Sequence, residues 1–224
     1  MHVVAASRVW DPAMLERLRE AAQQDFVLIE RKEDLTPERL AALEPGYVFF
    51  PHWSYLIPRE IHERFECVIF HMTDVPFGRG GSPLQNLIAR GIYETKVSAL
   101  RCEAGLDAGP VYMKRPLSLH GTAEEIYRRA TRVIEGMIVE ILRSRPEPRP
   151  QEGEPVAFPR RKPEQSDLSA LRDLEQLFDH IRMLDAEGYP RAFLETENFR
   201  FEFERAALRG ESLLADVRIT RRKQ

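Results

Sequence analysis

The chain has little cysteine: two residues in 224, Cys67 and Cys102. Both fall in strand-like apolar runs, so they read as small buried hydrophobes in a reducing compartment, and a disulfide framework is excluded. Neither has histidine or cysteine neighbours at ligand spacing, which argues against a structural zinc site, so no metal is expected. No apolar run approaches the roughly 20 residues needed to span a bilayer. Met1 to Ala6 turns polar too soon for a secretory leader. A soluble, cytoplasmic protein with no membrane partner is expected. An excess of basic charge is also missing. The net charge is −3, whereas a dedicated nucleic-acid binder is usually strongly basic, so no nucleic-acid partner is expected. There is no internal repeat and no low-complexity tract.

What is present is enough apolar material, 43%, for one sizeable α/β domain with an appendage. Continuous apolar runs at His2–Ala6, Phe26–Ile29, Tyr47–Phe50 and Cys67–Phe70 alternate with helical signals. Asp11-Pro12 and Thr36-Pro37 each place a cap before a helix-opening proline. Ile57-Pro58 opens another short helix. This alternation predicts a mostly parallel sheet covered on both faces. Thr95–Cys102 and Val111–Leu117 then read as two strands joined by a turn at Asp107. Thr122-Ala123-Glu124-Glu125 is a capping box that opens a long helix with Ile126, Ala130, Val133, Met137, Ile138 and Ile141 on one face. Pro146 ends it. Residues 146–164 form a proline-rich connector, Ser166–Leu184 reads as helix, and Phe193–Ile219 alternates as a small β appendage. Phe199, Phe201 and Phe203 share one face, which suits a core better than a stacking platform.

Chemistry concentrates between Phe70 and Pro110. His71 directly follows the fourth strand, and ligands of open α/β sheets bind at the carboxyl ends of strands. A histidine there can act as acid or base near neutral pH. The run Gly78-Arg79-Gly80-Gly81-Ser82-Pro83 precedes a helix, and its backbone N–H groups could hold an anion. It is neither a P-loop nor a dinucleotide turn, since no Gly-Lys-Ser/Thr follows and the first strand lies elsewhere. Asp107-Ala108-Gly109-Pro110 forms a second tight turn. Taken alone, His71 reads as a capping histidine and Asp107 as a turn former.

Together these residues resemble the folate-dependent formyltransferases, which include the methionyl-tRNA, glycinamide ribonucleotide and sugar-nucleotide enzymes. That family carries Asn-x-His-x-Ser-x-Leu-Pro, Gly-x-x-Pro and Asp-x-Gly-Pro; here stand His71, Thr73 in place of serine, Pro76, Gly80 or Gly81 near Pro83, and Asp107-Ala108-Gly109-Pro110. Arg161-Lys162-Pro163-Glu164, His180-Ile181-Arg182 and Tyr189-Pro190-Arg191-Ala192-Phe193 are similar to the segment after the catalytic domain in the sugar-nucleotide and tRNA enzymes. The likeness runs from about residue 45 to 205.

The resemblance implies an α/β fold with a mostly parallel Rossmann-like formyltransferase sheet and a small C-terminal β appendage. The catalytic domain would cover 1–145, a linker 146–164, and a helix with a small β subdomain 165–224. It implies transfer of a formyl group from N10-formyltetrahydrofolate to an amine, with His71 and Asp107 catalytic and Thr73 and Asp74 beside them. Trp53, Ser54, Tyr55, Leu56, Ile57, Gly105, Leu106 and Gly109 would hold the folate. Arg79, Gly80, Gly81, Ser82, Arg161 and Arg182 would hold the acceptor, the Arg160-Arg161-Lys162 cluster suiting a phosphate. The short appendage and the charge balance favour a nucleotide-linked amino sugar over tRNA, and the appendage strands offer an edge for a homodimer.

One departure stands out. The family's asparagine, two residues before the histidine, is Ile69 here. Loss of an amide donor costs about 3 kcal/mol of transition-state stabilisation if nothing replaces it. Thr73, Asp74 and His52 are the candidate replacements. A non-catalytic folate- or sugar-binding relative and a formyl-folate hydrolase are the alternatives that Ile69 leaves open.

Overall fold

The apolar runs become strands of one sheet. The computed structural model describes residues 1–222, so the last two residues of the expected C-terminal unit lie outside it. In chain order the elements are β1 (His2–Ala5), α1 (Met14–Ala22), β2 (Phe26–Ile29), α2 (Pro37–Leu43), β3 (Val48–Phe50), α3 (Arg59–His62), β4 (Cys67–His71), β5 (Phe77–Gly80) and α4 (Pro83–Ile88). They continue with β6 (Glu94–Arg101), β7 (Val111–Ser118), α5 (Ala123–Ser144), β8 (Val156–Phe158), α6 (Leu174–Arg182), β9 (Ala192–Glu195), β10 (Phe199–Arg209) and β11 (Ser212–Arg221). The chain divides into two compact units: residues 1–80, 95–117 and 127–157, and residues 81–94, 118–126 and 158 onward. The division is interleaved along the chain, and residues 146–157 of the expected 146–164 linker fall in the first unit.

The first unit holds a six-stranded sheet in the order β2-β1-β3-β4-β6-β7. β1 pairs in parallel with β2 and β3, and β3 with β4, while β4 and β6 are antiparallel. Val3, Val4, Ala5, Val48, Phe49 and Phe50 are all buried, which is why these strands read as unbroken apolar runs rather than alternating ones. The strand order reverses at β1, so the switch-point crevice opens between the carboxyl ends of β1 and β3. The Ser7 hydroxyl spans it, donating to the His52 carbonyl at 2.8 Å and accepting the Ser54 N–H at 3.0 Å.

Two of the three caps behave as the sequence predicts; the Asp11-Pro12 cap does not, since α1 begins at Met14 with Ala13 as its cap and Asp11 accepts the Ala13 N–H ahead of the helix at 3.1 Å. Thr36 Oγ1 accepts the Arg39 N–H at the start of α2. Thr122 and Glu125 form the reciprocal box that opens α5, at 3.3 and 2.8 Å. Such caps each contribute about 1 kcal/mol. Two further expectations are corrected. The glycine run after His71 is no free turn: Phe77–Gly80 is strand β5, paired with β8 in a two-stranded ribbon. The helix expected over Ser166–Leu184 is confined to Leu174–Arg182, because Asp173 caps it by accepting the Gln176 N–H at 2.7 Å. Upstream, the Leu168 N–H is bonded to the Phe193 carbonyl instead.

The second unit carries α4, α6 and an antiparallel sheet in the order β11-β10-β9. α6 lies against β10 and β11. Phe201 pairs with Ile219 and Phe203 with Val217. Both phenylalanines are partly buried, whereas Phe199 at the strand start is exposed.

Candidate active site

His71 is the last residue of β4, so the sheet delivers its ring to the carboxyl edge. The ring is 7% exposed. Its Nε2 lies 2.7 Å from the Gly78 carbonyl, which can only accept, so the Nε2 hydrogen is committed there. Nδ1 is then the nitrogen that exchanges protons, and it stands 3.4 Å from Asp107 Oδ2. That same oxygen accepts the Gly80 N–H at 2.9 Å. Asp107 has φ +49°, a left-handed conformation that aspartate tolerates better than most residues. Gly109 is required by a close approach: a Cβ there would lie 1.9 Å from the Arg101 carbonyl oxygen. Strand end and turn thus bring together the histidine and the acid singled out from the sequence.

Several other expected site residues are otherwise engaged. Thr73 is 0% exposed, and its hydroxyl donates to the Gly78 carbonyl at 3.3 Å, so it shapes the loop under His71. Asp74 binds Lys114 at 2.6 Å and Lys96 at 2.9 Å. Burial alone would raise its pKa, but the bonds from the two lysines outweigh it and hold the carboxyl below its ordinary value. Asp74, expected among the catalytic residues, is therefore engaged by two cations that the sequence reading did not place beside it. Arg79 donates through Nε and Nη2 to Gln151 Oε1 at 3.0 and 2.8 Å. The Gly80 and Gly81 N–H groups are taken by Asp107 and by the Phe158 carbonyl, which overturns the anion-cradle reading.

Within the second unit, Ser82 Oγ accepts the Arg161 N–H at 3.1 Å, and the Arg161 guanidinium donates to the Gln165 carbonyl at 2.5 Å. Arg182 is the clearest correction. It is 2% exposed, pairs with Asp179 at 2.7 Å, and donates to the Leu119 and Gly121 carbonyls at 2.5 and 2.9 Å. Buried this deeply, it cannot receive an acceptor; it is a structural strut.

The expected folate loop follows β3. Leu56 is 80% exposed at its tip, and Leu106 in the Asp107 turn is 59% exposed, while Tyr55 is also exposed. The Trp53 ring packs edge-on to Phe50, and its Nε1 is buried with no hydrogen-bond partner among the described residues. Ser54 is tied to Ser7, Ile57 packs on the apolar cluster under β3, and Gly105 takes φ +100°. His52 Nε2 lies 3.0 Å from Thr131 Oγ1, whose own hydrogen goes to the Tyr127 carbonyl. Burial pushes the His52 pKa down to about 4.

Ile69 shares the face of Cys67 and His71, sits opposite Phe50 in the β3–β4 register, and packs into the same apolar cluster as Trp53 and Cys102. The position of the family's amide is therefore filled by a hydrocarbon. Thr73, Asp74 and His52, the candidate replacements, all have other partners. Sequence reading also missed Gln151, whose Nε2 donates to the Asp107 and Gly109 carbonyls at 2.8 Å each. Nothing in the connector around it signals that role.

The family model described as "Methionyl-tRNA formyltransferase, C-terminal domain" matches residues 163–220. A solved structure of methionyl-tRNA formyltransferase from Clostridium thermocellum is 49% identical, with a TM-score of 0.94, each chain covered to 98%. The methionyl-tRNA formyltransferase of Wolinella succinogenes is 27% identical over 197 residues, 83% of this chain and 63% of that protein. The chain thus spans under two thirds of that relative's length. HypX from Aquifex aeolicus in complex with tetrahydrofolic acid shares the fold, at 19% identity and a TM-score of 0.74 over 92% of this chain and 38% of that one. The relatives' names correct two expectations. A partner list without nucleic acid does not fit relatives named for a tRNA substrate, and the leaning toward sugar-nucleotide enzymes is not supported. Net charge misled because it averages over the whole chain and says nothing of a local acceptor surface. With near-complete coverage at this identity, and with the His71–Asp107 pair in place, the chain belongs to the formyltransferase family.

Proposed function

We propose that this chain transfers the formyl group of N10-formyltetrahydrofolate to a primary amine, and that the amine is the α-amino group of methionyl-tRNA. The observation that carries the reading is the His71 Nδ1–Asp107 Oδ2 approach at 3.4 Å, with the far side of the ring fixed on Gly78. The folate supplies the activated formyl carbon. The amine forms a new C–N bond to it, and the bond to N10 breaks. The proton lost by the amine passes to the His71–Asp107 pair and is returned to the departing N10 nitrogen. A buried imidazole backed by a carboxylate suits both transfers near neutral pH.

The exposed Leu56 and Leu106 fit the folate, because two large apolar side chains on the two expected folate loops are what an aromatic ligand would cover. Arg209, Arg218 and Arg221, all exposed on β10 and β11, supply cations that a phosphate backbone would meet.

The test incubates the purified chain with formyl-labelled N10-formyltetrahydrofolate and methionyl-tRNA, with a nucleotide-linked amino sugar, the acceptor favoured by the sequence, as the second substrate. Label on the methionyl-tRNA is expected. Label on the sugar alone would replace the acceptor. Formate release without any acceptor would make the chain a hydrolase, and folate binding without turnover would make it a binding relative.

A further inference from the structure

We propose that Gln151 is the positioning residue of the formyl-transfer site: its side-chain amide sets the Asp107 turn against β5 and so fixes the approach of Asp107 to His71. The inference rests on the transfer reading given above. Three consecutive residues of β5 touch the site's framework. The Gly78 carbonyl holds His71 Nε2, the Gly80 N–H holds Asp107 Oδ2, and Arg79 between them clasps Gln151 Oε1 with two donors. From its other end Gln151 gives Nε2 to the Asp107 and Gly109 carbonyls, at 2.8 Å each.

Both hydrogens of the amide nitrogen and both lone pairs of the amide oxygen are therefore used. Only a primary amide on a stem of this length supplies two donors to the turn and an acceptor to the arginine fork. Glutamate keeps the shape but has no donor. Gln151 is itself anchored, since Arg149 two residues earlier exchanges backbone bonds with Val111 at the start of β7, at 2.7 and 2.9 Å. Asp107 needs such support because its left-handed backbone has no strand ladder of its own.

The direct test is Gln151→Glu in the full chain. A displaced turn should lower kcat about 10²-fold, with a smaller rise in the KM for formyl-folate of about three- to tenfold, since the reacting groups move and the same turn carries Leu106 of the expected folate site. The His71 Cε1–H resonance should leave its wild-type position, as it should in Asp107→Asn. Arg79→Lys keeps the charge but loses the fork, and should lower kcat about tenfold with the same resonance displaced. Wild-type kcat and an unmoved His71 resonance in a folded Gln151→Glu protein would overturn the proposal. If that variant fails to fold, Arg79→Lys decides on the same two readouts. If the wild type transfers no formyl group to any amine, the functional reading falls, yet the His71 resonance still decides whether Gln151 positions the pair.

Discussion

In the turn between β6 and β7, Asp107 spends one oxygen on a backbone N–H and on His71, and the imidazole keeps one nitrogen uncommitted to any carbonyl. In α6, Arg182 is more deeply buried, and its Nε and Nη1 donors end on Asp179 and on two backbone carbonyls. In the sequence Asp107 stands out as a catalytic candidate and Arg182 as an acceptor-binding one. The difference is what their partners leave over. A titratable ring with one nitrogen facing a carboxylate can pass a proton, whereas a buried guanidinium that spends Nε on Asp179 and Nη1 on two carbonyls holds backbone in place, its Nη2 being left without a partner among the described residues. Asp74 sits between the two cases, a carboxylate close to His71 in sequence yet occupied by Lys96 and Lys114.

The largest effect that would break this comparison is kinetic. Asp107→Asn should lower the rate of formyl transfer about 10²- to 10⁴-fold, while Asp74→Asn stays within about threefold of wild type. Equal losses in a transfer assay would mean that the lysines do not isolate Asp74 from the chemistry. Next comes stability. Arg182→Ala leaves the buried Asp179 without its cation, with only the Tyr93 hydroxyl donating to it, and should cost about 3–5 kcal/mol, read by urea unfolding. A loss under about 1 kcal/mol would show that Arg182 is no strut.

The smallest effect sharpens the picture at the switch point. His52 has its pKa lowered from 6.5 to about 4 by burial, so the unfolded chain gains a proton at a higher pH than the folded one. Stability should therefore be level above pH 6.5 and fall as the pH drops toward about 4. His52 as a whole residue keeps some solvent exposure, which limits the amount to on the order of 2 kcal/mol. His52→Gln should flatten that part of the pH profile in thermal melts, and an unchanged slope would assign it to other groups.

Much of the fold is legible in the residues themselves. Val48-Phe49-Phe50 and Cys67–Phe70 announce buried strands, and Thr36 and Thr122 announce helix starts, because these signals are local. His71 and Asp107 are legible through spacing and family resemblance together. β5 is not, since Gly78 and Gly80 look like turn formers until β8, far along the chain, supplies their partner strand. The fate of Arg182 is equally hidden, because its acceptors at Leu119 and Gly121 are remote in sequence and belong to the backbone. Gln151 carries no signal at all in a proline-rich connector. Its meaning lies wholly in what it touches.

The Arg79–Gln151–Asp107 contacts bear on how the protein can be cut. A boundary near residue 145, natural from the end of α5, would sever Gln151 from the turn it braces. A fragment ending there keeps every strand of the six-stranded sheet and both members of the His71–Asp107 pair, but discards the side chain that joins β5 to the turn. Modularity in this chain therefore does not follow its secondary structure: a fragment that keeps the Gln151 brace must run past residue 151 and include β8, the partner strand of β5.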